Sequence, residues 1–191
     1  MKVIDILNNT DKAVFSFELV PPLKGGDINK IYEAIEPLIA LAPPFVNITF
    51  HRDEVVYREY PDGTIKKVTV TKRPGSVALA AAIMRRYNVD MVPHIVCGGA
   101  TRHKIENELI DLNFLDIENV MALRGDPIPG ERFFTPDEDG HRYSYELVEQ
   151  IARMNHGQYL DDTLTDAVPT NFCIGVAGYP EKHYEAPNQA C

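Results

Sequence analysis

The sequence predicts an α/β protein built on a parallel sheet, and its strand ends point to an incomplete (β/α)8 TIM barrel of about five βα units. Three observations lead there. Apolar strand-like runs alternate with amphipathic helical segments, the pattern of βαβ units. Neither G-x-G-x-x-G nor G-x-x-x-x-G-K-[ST] follows the first strand, which lowers the rival reading, a doubly wound open sheet, without removing it. Side-chain parity puts Ser16 and Glu18 on one face of the first strand, and Asn47 and Thr49 on one face of the second. Polar groups at C-terminal strand ends suit a barrel whose site opens at that mouth. A complete barrel takes about 250 residues, and this chain has 191.

Residues 14–20 form the first apolar run, closed by Pro21 and Pro22. Ile28, Ile31, Tyr32, Ile35, Leu38 and Ile39 then recur at helical spacing, with Asp27 as N-cap and Pro43-Pro44 as the stop. The second strand covers 45–50. Residues 55–70 read as a β-hairpin about Pro61-Asp62-Gly63, within an insertion over 53–72. A helix over about 75–87 carries Val77, Ala80, Met84 and Tyr87 on one face. The third strand is 91–96, and Thr101 caps a helix bearing Ile105, Leu109 and Leu112. The fourth strand is 119–123, followed by a Pro/Gly/Asp-rich loop over 126–142. Ser144 opens a helix with Leu147, Val148, Ile151 and Met154, ended by Gly157, and the fifth strand is 172–177. The whole reads as one domain, 1–191.

Composition is that of a globular chain, with 45% hydrophobic and 25% charged residues. The net charge of −9 with no basic block argues against nucleic-acid or anionic-membrane partners. No apolar run approaches the roughly 18–20 residues of a membrane span, and the N-terminus lacks a signal-peptide core. Three cysteines, Cys97, Cys173 and Cys191, form too sparse a set for a disulfide scaffold and suggest a reducing cytoplasm.

Glu18 is the sharpest single residue. Within Phe17-Glu18-Leu19-Val20-Pro21 it is expected to be poorly solvated, which favours the protonated carboxyl and makes it a candidate general acid. The plain alternative is a buried Glu paired with a cation. Arg124-Gly125-Asp126 follows a strand directly. There Gly allows close backbone approach, Arg can hold an anion and Asp can accept from an NH-rich heterocycle. Alone the tripeptide is a weak signal, and a turn with an internal ion pair is its plainer explanation. His94, Cys97 and His103 lack the second close pair that a structural zinc site uses. Thr49 is also an ordinary strand residue, and Tyr179-Pro180 an ordinary turn. The run Asp137-Glu138-Asp139 reads as a solvated loop tip.

Taken in order, FSFELVPP (15–22), FVNITF (45–50), VPHIVC (92–97), VMALRGDP (120–127) and GYPEKHYEA (178–186) resemble the methylenetetrahydrofolate reductase family. The resemblance implies an FAD-bearing barrel in which NADH or NADPH reduces the flavin. 5,10-Methylenetetrahydrofolate then accepts a hydride at the same face and becomes 5-methyltetrahydrofolate. It implies that Glu18 is the general acid and that Asp126 contacts the pterin beside the flavin. Thr49, His94, Arg124, Gly125, Asp126, Tyr143, Tyr179, His183 and Ala186 become cofactor-binding residues. Glu18, Thr49 and Asp126 become substrate-binding residues. No metal is implied, and family members are often homo-oligomers.

The sequence departs from the family at Leu19-Val20, where aromatics are common, and at His51-Arg52, where a small stretch is usual. Cys191 falls about where the helix after the fifth strand should begin, so the chain reads as an N-terminal part of the barrel, inactive alone. Two other readings stand beside this one. The first is a flavin-free barrel aldolase or hydrolase using Glu18 as acid and Arg124 as anion anchor. The second is an interaction domain whose exposed edge pairs with another chain.

Overall fold

A computed structural model describes residues 1–128, 130–178, 181 and 186. Five strands, β1 (Phe17–Leu19), β2 (Phe45–Ile48), β5 (Asp90–Val96), β6 (Asn119–Leu123) and β7 (Cys173–Val176), form one sheet in that order, and every pairing is parallel. The order follows the chain and never reverses. A doubly wound sheet reverses its strand order at a switch point, so that alternative is overturned for the described strands. β3 (Glu54–Glu59) and β4 (Ile65–Val70) pair antiparallel as a separate two-stranded sheet between β2 and the next helix.

The connecting helices are α2 (Ile28–Ile39), α3 (Ser76–Tyr87), α4 (Arg102–Phe114) and α5 (Ser144–Met154). Asp27 caps α2 by accepting from the Asn29 backbone N–H at 2.9 Å, and Thr101 caps α4 by accepting from Lys104 N–H at 3.2 Å. α2 contains Pro37 and closes at Ile39, ahead of the Pro43-Pro44 stop, and Ala42 turns the chain with a left-handed φ of 51°. At α5 the Glu146 carboxylate reaches back to accept from the Tyr143 N–H at 2.9 Å.

All four helices pack on one face of the sheet. Ile35, Ile83, Leu109, Leu112, Leu147 and Ile151 are fully buried against Val46, Ile48, Met91, Ile95, Val120 and Ala122. Those strand residues share one parity. The opposite parity, which includes Glu18, Asn47, Val92 and His94, forms the helix-free face. Helices on one side and a polar-containing other side are the features a barrel wall requires.

The first strand is shorter than expected, three residues instead of seven, and Phe15 is 75% exposed. A short additional helix, α1 (Val3–Asn8), precedes it and buries none of its residues. It is held at the N-terminal strand ends. The Met1 ammonium lies 2.7 Å from Asp90, and Asn119 accepts from Val3 N–H at 2.8 Å and donates to the Met1 carbonyl at 3.0 Å. Among the described residues no helix is long and apolar enough to cross a membrane.

Candidate active site at the strand ends

The C-terminal ends of β1, β2 and β5 bring Glu18, Thr49 and His94 together. Glu18 and Asn47 are register partners on adjacent strands, so their side chains leave the same face. The Glu18 Oε2 lies 3.9 Å from His94 Nε2. Thr49 sits one residue past β2. Its N–H donates to the Leu19 carbonyl at 3.0 Å, continuing the ladder, and its hydroxyl donates to the same carbonyl at 3.3 Å. His51 Nε2 lies 3.3 Å from that hydroxyl.

The burial expected of Glu18 is not found, because its side chain is 59% exposed. The apolar neighbours Phe17 and Leu19 point to the other face, and β1 is an edge strand among the described residues, so nothing covers the carboxylate. His94 is the buried member of the pair, only 7% exposed. Burial holds its ring below the ordinary imidazole value, and the Glu18 carboxylate opposes this more weakly. His94 is therefore neutral near pH 7.

Three buried side-chain polar atoms have no hydrogen-bond partner among the described residues: Asn47 Oδ1, His94 Nε2 and Ser76 Oγ. Ser76 opens α3, but the other two share the helix-free face of neighbouring strands. Buried polar atoms are nearly always satisfied, so two orphans on one face of neighbouring strands single that face out as the candidate site.

A second cluster gathers at the ends of β5 and β6. Cys97 N–H donates to Leu123 at 3.0 Å and Gly98 N–H donates to Arg124 at 3.2 Å, locking the two strand ends together. Gly125 has φ +86°, and a Cβ there would stand 2.6 Å from Val96 Cγ1, so only glycine fits. The Arg124 guanidinium lies 5.4 Å over the Phe134 ring, a cation–π distance. Cys97 is fully buried, its thiol pushed up to about 12 chiefly by desolvation, and it donates to the Tyr143 carbonyl at 3.7 Å. That contact ties Tyr143, half-buried and stacked on Tyr145 at 5.6 Å, to the β5 end. Asp126 is exposed beside this cluster and Ala186 is half-buried, whereas Tyr179 and His183 lie outside the described residues.

Two features escaped the sequence reading. Phe134 sits in the Pro/Gly/Asp-rich loop yet is 7% exposed and joins the core, for which the loop composition gives no signal. The acidic run is exposed, as expected of a solvated tip, but it is also tethered. Asp137 accepts from Gly99 N–H at 2.7 Å, and Asp139 accepts from the Arg102 guanidinium at 3.0 Å, pinning the loop to the start of α4. Asn47 showed in the strand parity, but its burial did not. Among the described residues no three of His, Cys, Asp and Glu gather as metal ligands.

A cavity of about 370 Å³ lies elsewhere, between α4 and α5, lined by Arg102, Glu106, Glu149, Gln150, Arg153 and Tyr159 among others. Its buried polar groups satisfy one another. His141 Nε2 and Gln150 Oε1 are 2.5 Å apart, Gln150 donates to the Arg102 carbonyl at 3.0 Å, and Glu106 accepts from Leu160 N–H at 2.7 Å. It holds no candidate catalytic group and does not compete with the strand-end cluster.

Comparison with known proteins bears on the whole chain. Methylenetetrahydrofolate reductase (NADH) 1 of Arabidopsis thaliana is 28% identical over 186 residues, covering 96% of this chain and 26% of its own length. A probable methylenetetrahydrofolate reductase (NADPH) of Caenorhabditis elegans is 27% identical over 186 residues, 97% of this chain and 24% of its own. The 5,10-methylenetetrahydrofolate reductase of Buchnera aphidicola is 24% identical over 186 residues, 96% of this chain and 50% of its own. The chain thus spans about a quarter of the plant and worm relatives and half of the bacterial one. The methylenetetrahydrofolate reductase family model matches residues 2–190. With that match running over nearly every residue, this chain belongs to the methylenetetrahydrofolate reductase family.

Proposed function

We propose that the strand-end face is the flavin and folate site of a reductase that converts 5,10-methylenetetrahydrofolate to 5-methyltetrahydrofolate at the expense of NAD(P)H. The observation that carries this reading is the buried, unpartnered His94 Nε2, set beside the Thr49 hydroxyl and Glu18 on the helix-free face. A planar heteroaromatic with both donors and acceptors on its edge is the kind of group such atoms need, so the residues present fit an FAD ring. FAD, when bound, supplies a hydride that originates in NAD(P)H.

The chain's own residues take defined roles in this proposal. His94, neutral and buried, offers Nε2 to the cofactor, and Thr49 offers its hydroxyl at the same level of the sheet. Arg124 and the Gly125 backbone form the second wall, which the cation–π contact with Phe134 and the Gly98-to-Arg124 bond hold in place. Tyr143 closes that wall, and Tyr179, His183 and Ala186 complete the proposed cofactor contacts. Asp126 accepts hydrogen bonds from the N–H edge of the pterin. Glu18 holds a proton on its carboxyl and gives it to a ring nitrogen of the folate, so that the C–N bond of the five-membered ring breaks with its electron pair on nitrogen. Its exposure leaves it reachable by a substrate entering from the open side.

The test is a fluorescence titration of FAD with the purified 191-residue chain, with Asp126→Asn as control. Saturable quenching that the substitution weakens is the expected result. A folded chain that leaves FAD fluorescence unchanged at every concentration removes the proposal.

A further inference from the structure

Asn47 lies inside FVNITF (45–50) without being one of the candidate site residues, yet it is 9% exposed and its Oδ1 has no partner. Its place explains what it waits for. Asn47 is the register partner of Glu18, and parallel strands lie about 4.8 Å apart, so the two side chains leave the same face as neighbours. From the same flank Asn47 Nδ2 donates to Ser16 Oγ at 3.4 Å, and Ser16 precedes Glu18 by two residues on that same face. The amide therefore bonds a hydroxyl, and the register sets it beside the strand position that carries the Glu18 carboxyl.

We propose that Asn47 is the positioning residue of Glu18, an amide that partners the carboxyl group in both of its protonation states. An acid that gives up a proton and regains it in each cycle changes from hydrogen-bond donor to pure acceptor. A fixed donor such as lysine suits only the anion, and a fixed acceptor suits only the acid. An amide suits both. With Glu18 protonated, Oδ1 accepts its O–H and Nδ2 donates to Ser16 Oγ. Once the proton has passed to the folate nitrogen, the amide turns over, Nδ2 donates to the carboxylate, and the Ser16 hydroxyl rotates to donate to Oδ1. No covalent bond changes within the trio, and the single proton is the one Glu18 transfers. The unpartnered Oδ1 is the expected signature of an amide set for the protonated carboxyl.

The charged and titratable groups around the pair are few. His94 faces Glu18 from β5 at 3.9 Å, His51 touches Thr49 at 3.3 Å, and Arg73 donates to the Pro21 carbonyl beyond the end of β1. His94 is the group whose titration could imitate that of Glu18, and the test separates them.

The inference rests on the acid role proposed for Glu18, but its test needs neither FAD nor turnover. The side-chain amide resonances of Asn47, assigned by their loss in Asn47→Ser, are followed by NMR through a pH titration of the 191-residue chain. The expected result is one pH-dependent transition in the wild type that is lost in Glu18→Gln, an exposed substitution that leaves the core intact. A transition that survives Glu18→Gln assigns it to His94 and overturns the proposal, as does an amide that stays unmoved in the wild type. Failure of FAD to bind would refute the reductase reading and leave this measurement standing.

Discussion

Replacing Gly125 by alanine tests how the second wall of the site is built. Two costs add. The backbone at φ +86° is a conformation that an L side chain enters at about 1–2 kcal/mol. The new Cβ would stand 2.6 Å from Val96 Cγ1, nearer than any real Cβ contact, so something must move. Val96 closes β5, and a β-branched side chain has little rotamer freedom with which to yield. Overpacking of this kind costs about 1–3 kcal/mol. The sum, about 2–5 kcal/mol, is a large share of the roughly 5–15 kcal/mol that a domain has. Urea unfolding followed by far-UV circular dichroism reads it as a lowered midpoint at unchanged slope. A double-mutant cycle with Val96→Ala then separates the two terms. The clash vanishes with the valine methyls while the φ cost stays, so Gly125→Ala should cost at least about 1 kcal/mol less in the Val96→Ala background. A Gly125→Ala cost within about 0.5 kcal/mol of zero, or an equal cost in both backgrounds, refutes the reasoning.

The buried His94 ring titrates below the ordinary imidazole value of about 6.5, and Glu18→Gln should lower its NMR midpoint further by removing the carboxylate that opposes burial. Because the folded value is the depressed one, the stability His94 contributes is complete above the unfolded value and is lost as pH falls through the folded one. His94→Gln should flatten that part of the stability profile, and a ring titrating at or above 6.5 would contradict the burial argument. The Cys97 thiol, pushed up to about 12 and fully buried, should resist Ellman's reagent at pH 8 in the folded chain and react only on unfolding. Peptide mapping that finds Cys97 modified in the native protein at the rate of the half-buried Cys173 would show the β5 end to be open.

The elements legible in the sequence are those whose signal is local. The apolar stripe from Ile28 to Ile39, the caps at Asp27 and Thr101, and the run 119–123 all reappear as read. The turn at Pro61-Asp62-Gly63 reappears as well, with Gly63 N–H donating to Tyr60 at 2.8 Å. What was not legible depends on partners distant in sequence. α1 has no buried face, and its anchors are Asp90 and Asn119, about a hundred residues away. Glu18 was placed on the right face by parity, but whether that face is covered depends on which strand forms the edge. The same limit applies to Asn47. Alternation identified a polar residue in β2, whereas its burial follows from Ser16 on one flank and β5 on the other.

The one-sided placement of the helices decides where chemistry can sit. Strands of a parallel sheet covered on both faces are continuously apolar, and β2 and β5 obey this on the helix side without exception: Val46, Ile48, Met91 and Ile95 are all at or near complete burial. On the other face the rule breaks at Asn47 and His94, which are just as inaccessible to water as an apolar residue would be there. Each unpartnered atom costs about 1–3 kcal/mol relative to one that is hydrogen-bonded. An apolar side chain of similar size would avoid that loss, so packing alone does not account for them. The cost at Asn47 is recovered in the proposed pairing with a protonated Glu18, and that at His94 when a donor or acceptor arrives from outside the sheet. The face that can receive it is the one no helix covers, at the strand ends where Glu18 and Thr49 already stand. Local rules of burial fail there, and such failures concentrate at functional sites. The failure thus supports the proposed site without reference to any motif.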